Sequence, residues 1–158
     1  MLTSKKEGSS DAEAGKIAAK PTGLSKQELV SFLRDAKLRP TRQRISLAKI
    51  LYSKGDRHVT AELLHDEAQM AGMPVSLATV YNALRQFSEA GLLRAIAVDS
   101  SRTFFDTNTG DHHHFFIEES GEVVDVPHDG IVIDNIPNAP RDLQISGVDV
   151  IIRLRPVG

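Results

Sequence analysis

Apolar residues recur at spacings of three and four from residue 24 onward, and each run starts at a hydroxyl side chain. Ser25 and Glu28 form a capping box inside a Leu24/Leu29 staple, which predicts a helix to about Ala36 burying Leu29, Phe32 and Leu33. Pro40 keeps Leu38-Arg39 extended. Thr41 caps a second helix through Ile45, Ala48, Leu51 and Tyr52 to Lys54-Gly55. Thr60 caps a third, Ala61 to Ala71, and Ser76 a fourth, ending near Ala90-Gly91. In the fourth, Leu77, Val80, Leu84 and Phe87 form one stripe expected to be buried. The pattern then changes. Leu92–Val98 and Thr103–Phe105, joined by Asp99-Ser100-Ser101-Arg102, read as a β-hairpin. His114–Ile117 and Glu122–Val126 read as strands about Gly121, Asp129–Ile136 as a short helix and Gln144–Leu154 as a last strand.

Helices followed by a small hairpin give the order of a winged helix-turn-helix. The expected fold class is α+β: an N-terminal winged helix-turn-helix domain over residues 24–106 and a small C-terminal α/β domain over 107–158. Residues 1–23, with no sustained apolar period, are expected to form a disordered tail.

The face of the fourth helix opposite its stripe carries Ala78, Thr79, Tyr81, Asn82, Arg85 and Gln86, with no acid before Glu89. Small residues permit close approach to a DNA groove, and amide or guanidinium groups bond base edges or phosphates. Arg39, Arg42 and Arg44, beside Thr41, crowd the start of the second helix, where the helix dipole disfavours cations. Contact with phosphate explains that placement; an ordinary solvated surface is the competing reading of both faces.

Charge sharpens the division. Residues 21–98 carry eleven Lys/Arg against seven acids, and residues 99–158 four Arg against eleven acids. A basic first part suits a polyanion; an acidic second part suits cations or a partner. There is no cysteine, which excludes disulfides, thiolate zinc and iron–sulfur sites. No stretch is long and apolar enough for a membrane span and the start lacks the apolar core of a secretory signal, so a cytoplasmic protein without membrane contact is expected. No phosphate loop, dinucleotide fingerprint, nucleophile elbow or zincin motif is present, and no enzyme is expected.

The most chemical stretch is Asp111-His112-His113-His114. On a strand, His112 and His114 share one face and His113 takes the other. Two imidazoles at that spacing can chelate one ion or offer axial ligation to haem. Asp106 lies just upstream, and His58 precedes the third helix.

Several motifs together resemble the ferric uptake regulator (Fur) family over about residues 24–126. They are Leu38-Arg39-Pro40-Thr41-Arg42-Gln43-Arg44, His58-Val59-Thr60-Ala61-Glu62-Leu63, Ser76-Leu77-Ala78-Thr79-Val80-Tyr81-Asn82-Ala83-Leu84, Ala90-Gly91-Leu92, and Phe104-Phe105-Asp106 with the His run. The resemblance implies a homodimeric, metal-sensing transcription regulator on double-stranded DNA, with residues 107–158 serving dimerisation and sensing. It implies an inter-domain sensor site at His58, Asp106, His112 and His114, with His113 secondary. DNA contacts are expected from Arg39, Thr41, Arg42, Arg44, Ala78, Thr79, Tyr81, Asn82 and Arg85. Where the family's structural zinc takes its first Cys pair, this chain has Ile117 and Ser120, so no structural zinc held by four cysteines is expected. Asp111, His113 and Val148 depart from a second His–carboxylate site, and Asn82 stands where Arg is common. These departures resemble the iron response regulator (Irr) branch. That implies control of iron and haem metabolism genes at an iron-regulated operator, activity under low iron, inactivation by haem, and haem-delivering partners. The alternative is a Fur-type regulator with Mn2+ or Fe2+ as corepressor; in other classes stand a His-site metal-dependent hydrolase and a haem or metal storage and transfer protein.

Overall fold

The computed structural model describes residues 20–158; the tail expected over residues 1–23 lies mostly outside the described residues. Helices α1 (Lys26–Asp35), α2 (Arg42–Tyr52), α3 (Ala61–Met70) and α4 (Leu77–Glu89) come first, with strand β1 (His58–Val59) between α2 and α3. Strands β2 (Arg94–Ala97), β3 (Thr103–Asp106), β4 (His114–Ile117), β5 (Glu122–Asp125) and β6 (Ile151–Leu154) follow.

Each helix begins where a hydroxyl satisfies an orphan amide. Ser25, Thr41, Thr60 and Ser76 accept from Glu28, Arg44, Leu63 and Thr79 N–H, and Glu28 returns the bond to Ser25. Each cap contributes about 1 kcal/mol. The helices bury Leu29, Leu33, Leu47, Leu51, Leu64, Leu84 and Phe87 in one core, with Val59 and Phe105 closing it from the sheet side. In α4, Val80, Ala83, Leu84 and Phe87 are buried, whereas Leu77 is 42% exposed. Leu77 sits at the first helical position, beyond the reach of the packing below it.

Two three-stranded sheets follow, in the orders β1-β3-β2 and β5-β4-β6. The first is antiparallel; in the second, β4 pairs antiparallel with β5 and parallel with β6. Strand β3 has two buried faces: Phe105 joins the helical core, and Phe104 joins a second cluster with Ile96, Val98 and Phe116, flanked by Val123 and Ile151. The wing hairpin β2–β3 thereby forms one wall of the second sheet's core. Arg102 and Arg153 lie over the Phe116 ring at 5.3 and 5.6 Å, and Arg153 donates to the Val98 carbonyl.

Two further sequence expectations need correction. Asp129–Ile136 forms no helix: Asn135 adopts φ +58°, and β-branched Ile131, Val132 and Ile133 follow Gly130. Gln144–Leu154 is a strand only from Ile151, because His114 N–H donates to the Val150 carbonyl and the ladder with β4 begins there. Among the described residues no helix is long and apolar enough to cross a membrane.

Candidate metal centre and nucleic-acid face

Antiparallel pairing of β1 with β3 sets His58 opposite Asp106. Pairing of β4 with β5 sets His114 opposite Asp125. The two sheet ends meet, and His112 reaches the junction from the loop before β4. His58, Asp106, His112, His114 and Asp125 then place one ligand atom each within 4.8 Å of all the others. The Nε2 atoms of His58, His112 and His114 lie 3.0, 2.8 and 3.1 Å from one oxygen, Asp106 Oδ2. They lie 2.9, 3.2 and 3.4 Å from Asp125 Oδ1.

Two observations test whether a cation fits. The Asp106 and His114 side chains are 1% and 3% exposed, so charge here must be compensated within the protein. His58 Nε2 is buried and makes no bond of hydrogen-bond geometry despite its two carboxylate neighbours, so it is aimed at a point between them. The His112 ring supports this: Nδ1 lies 2.7 Å from the Gly110 carbonyl, which can only accept, so that nitrogen donates there and Nε2 is the ring nitrogen turned to the centre. Adjacent ligands on an ion with bonds of about 2.1 Å stand about 3.0–3.4 Å apart, close to the separations found. Three imidazoles and two carboxylates form a donor set for a borderline or hard divalent ion such as Fe2+ or Mn2+.

The electrostatics agree. Burial alone would push the Asp106 carboxyl up; His114 and His58 beside it and the Asn108 amide outweigh that and hold it well below the usual carboxylate range. The Asn108 N–H occupies Oδ1 at 2.8 Å and leaves Oδ2 for the centre. Burial would lower His58; the Asp106 and Asp125 carboxylates outweigh it and raise it.

His113 takes no part: its Nδ1 accepts from Val150 N–H at 3.2 Å, away from the cluster. Asp125 is the member that the sequence reading missed. A hairpin closed by residues 118–121 puts 125 opposite 114, so the signal lay in the turn.

The residues expected to meet DNA fall at the start of α2 and along α4. Arg39, Thr41 and Arg42 are exposed at the start of α2, and Ala78, Tyr81, Asn82 and Arg85 on α4; Thr79 is half-buried, sharing a 2.8 Å bond with the Ser76 hydroxyl. Arg85 lies 3.6 Å from Glu89. Between α2 and α4 runs a cleft of about 400 Å3 lined by Arg39, Thr41, Gln43, Arg44, Thr79 and Asn82, among others. Arg44 is half-buried there and turned inward.

Residues 35–150 match the ferric uptake regulator family. The peroxide-responsive repressor PerR of Staphylococcus aureus is 33% identical over 99 residues, 63% of this chain and 66% of that protein, so the match spans just under two thirds of this relative's length. A structure of the ferric uptake regulator from Pseudomonas aeruginosa with manganese is 29% identical, with a TM-score of 0.61 over 80% of this chain and 96% of that one. The Vibrio cholerae ferric uptake regulator, 22% identical with a TM-score of 0.62 over 80% of this chain and 98% of that one, shares the fold. With its α+β architecture and a family match over most of its length, this chain belongs to the ferric uptake regulator family.

Proposed function

We propose that this protein is a metal-responsive transcription regulator that binds operator DNA as a homodimer and is not an enzyme. Its sensor is held by His58, Asp106, His112, His114 and Asp125, with Mn2+ or Fe2+ as the ion. The observation that carries this reading is the convergence of three imidazole Nε2 atoms and two carboxylate oxygens within 4.8 Å. A bound cation would supply the positive charge that lets two carboxylates and three imidazoles share one small space. His58 and Asp106 belong to the sheet packed on the helical core, and the other three to the second sheet or the loop before it. Filling the site fixes one sheet against the other, and with it the placement of α4 relative to the partner subunit. Ligand occupancy is thereby coupled to DNA affinity.

Haem control, as in the Irr branch, is the finer expectation, and the packing favours it less. A haem needs an imidazole presented at an opening, whereas the His112 and His114 side chains are 11% and 3% exposed. A small ion needs no such opening. The deciding experiment measures binding to a DNA duplex selected from a random pool, with Mn2+, with ferrous iron and with haem. Tighter binding with Mn2+, lost in His58→Ala and Asp106→Asn, supports the proposal. An equimolar shift of the haem absorption band with no response to Mn2+ overturns it in favour of haem. A hydrogen peroxide arm on the ferrous form asks whether the behaviour named for the Staphylococcus aureus relative extends to this chain.

A further inference from the structure

We infer that Arg44 is a positioning residue for sequence recognition, a strut between the start of α2 and the recognition helix α4, and does not hold a DNA phosphate. The inference rests on the DNA-binding reading above. The Arg44 Nη2 donates to Gln86 Oε1 at 2.6 Å, and Nη1 donates to the Arg39 carbonyl at 2.9 Å. One rigid, planar group thus joins the connector before α2 to the third turn of α4, 42 residues later. Arg39 and Arg42, its neighbours in the basic cluster, are exposed and have no comparable engagement among the described residues; Arg44 is half-buried.

Gln86 lies one helical turn beyond Asn82 on the same face of α4. Whatever fixes Gln86 fixes the tilt with which Asn82 meets a base edge. A bidentate amide–adenine pair discriminates between bases only when both bonds close, so a small change of tilt removes discrimination and leaves general attraction to phosphate in place. The basic cluster therefore divides. Arg39 and Arg42 set affinity and its salt dependence; Arg44, through Gln86, sets how well one sequence is told from another. A lysine cannot replace Arg44, because one ammonium lacks the fork that reaches both acceptors in a plane.

The experiment uses the full chain loaded with Mn2+ and two probes: a duplex selected from a random pool by the wild type, and a scrambled duplex of the same composition. Each is titrated over a range of salt. Arg44→Lys and Gln86→Ala are expected to lower the ratio of selected to scrambled affinity about tenfold. The double variant should be no worse than either single one, and the salt slope should stay at the wild-type value. Gln86→Glu keeps the strut as an ion pair, so it should preserve the ratio even where its charge weakens both duplexes. Arg42→Ala should weaken both duplexes alike and flatten the slope by about 0.9 for each phosphate it no longer neutralises. The assignment is overturned if Arg44→Ala flattens the slope as Arg42→Ala does while the ratio stands, or if Arg44→Lys behaves as wild type. Should Arg44→Ala fail to fold, Gln86→Ala decides: a wild-type ratio there also overturns it. A pool from which the wild type selects nothing overturns the DNA-binding reading and this inference together, whereas the outcomes above overturn this inference alone.

Discussion

The helical unit and the second sheet are built in opposite ways. The helices enclose a core of their own, in which eight leucines join Phe32, Phe87 and several smaller residues, Val59 and Val80 among them. The second sheet contributes one buried side chain to its cluster, Phe116; Ile96, Val98 and Phe104 come from the wing. A 25-residue stretch between β5 and β6 adds no regular structure, and Val132, Ile136, Leu143 and Ile145 are exposed along it. One region is self-supporting, and the other borrows its stability from the wing, from the ligand cluster and, on the proposed reading, from a second subunit.

This contrast can be broken at Phe116. Phe116→Ala is expected to cost about 3–5 kcal/mol, read as faster amide exchange in β4 to β6 with the helical amides little changed. Uniform loss of protection in both regions would mean that they unfold as one unit. Metal should act in the reverse direction. At free Mn2+ a hundredfold above its dissociation constant, stability should rise by about 2.7 kcal/mol, with the gain in protection greatest in β4 and β5. Asp106→Asn should remove that gain, as measured by thermal unfolding with and without the ion. Ser76→Ala should cost about 1 kcal/mol and appear in the helical unit alone, as earlier denaturant unfolding of α4.

The smallest effect concerns pH. The Arg57 guanidinium, bidentate to Glu67 at 2.8 and 2.9 Å, outweighs the smaller opposing effect of burial and, with Lys54, holds that carboxyl below its ordinary value. A folded-state pKa below the unfolded one contributes stability above the unfolded value, near 4.5, and loses it as pH falls through the folded value. Glu67→Gln should therefore be less stable than the wild type at pH 7, by under about 1 kcal/mol, and the difference should fade toward pH 3. Thermal midpoints across that range check it.

The sequence disclosed the helical unit well because its signals are local. Four hydroxyl caps and three- and four-residue spacing place the helix starts, and all four caps are formed. Strand β1 is not legible in the same way: it is two residues long, and its partners Phe105 and Asp106 lie more than forty residues downstream. The absent helix at 129–136 and the shortened last strand have a related cause, since apolar content forms an element only where a neighbour exists to pack against. At the centre, His58, Asp106, His112 and His114 are legible from residue type and from the resemblance. Asp125 is not, because a lone aspartate on a strand is ordinary until pairing sets it opposite His114.

Strand β3 carries a consequence for how this protein can vary. Phe104, Phe105 and Asp106 are consecutive, and each is buried in a different surrounding: the second cluster, the helical core and the ligand cluster. Because side chains alternate, adding or deleting one residue within the strand would point Phe105 toward the ligand cluster and Asp106 into the leucines. Descendants of this chain can exchange one side chain for another along the strand, and can lengthen the polar turn before it. They cannot change the strand's residue count, so diversification of the ligand cluster must proceed by replacement at fixed spacing.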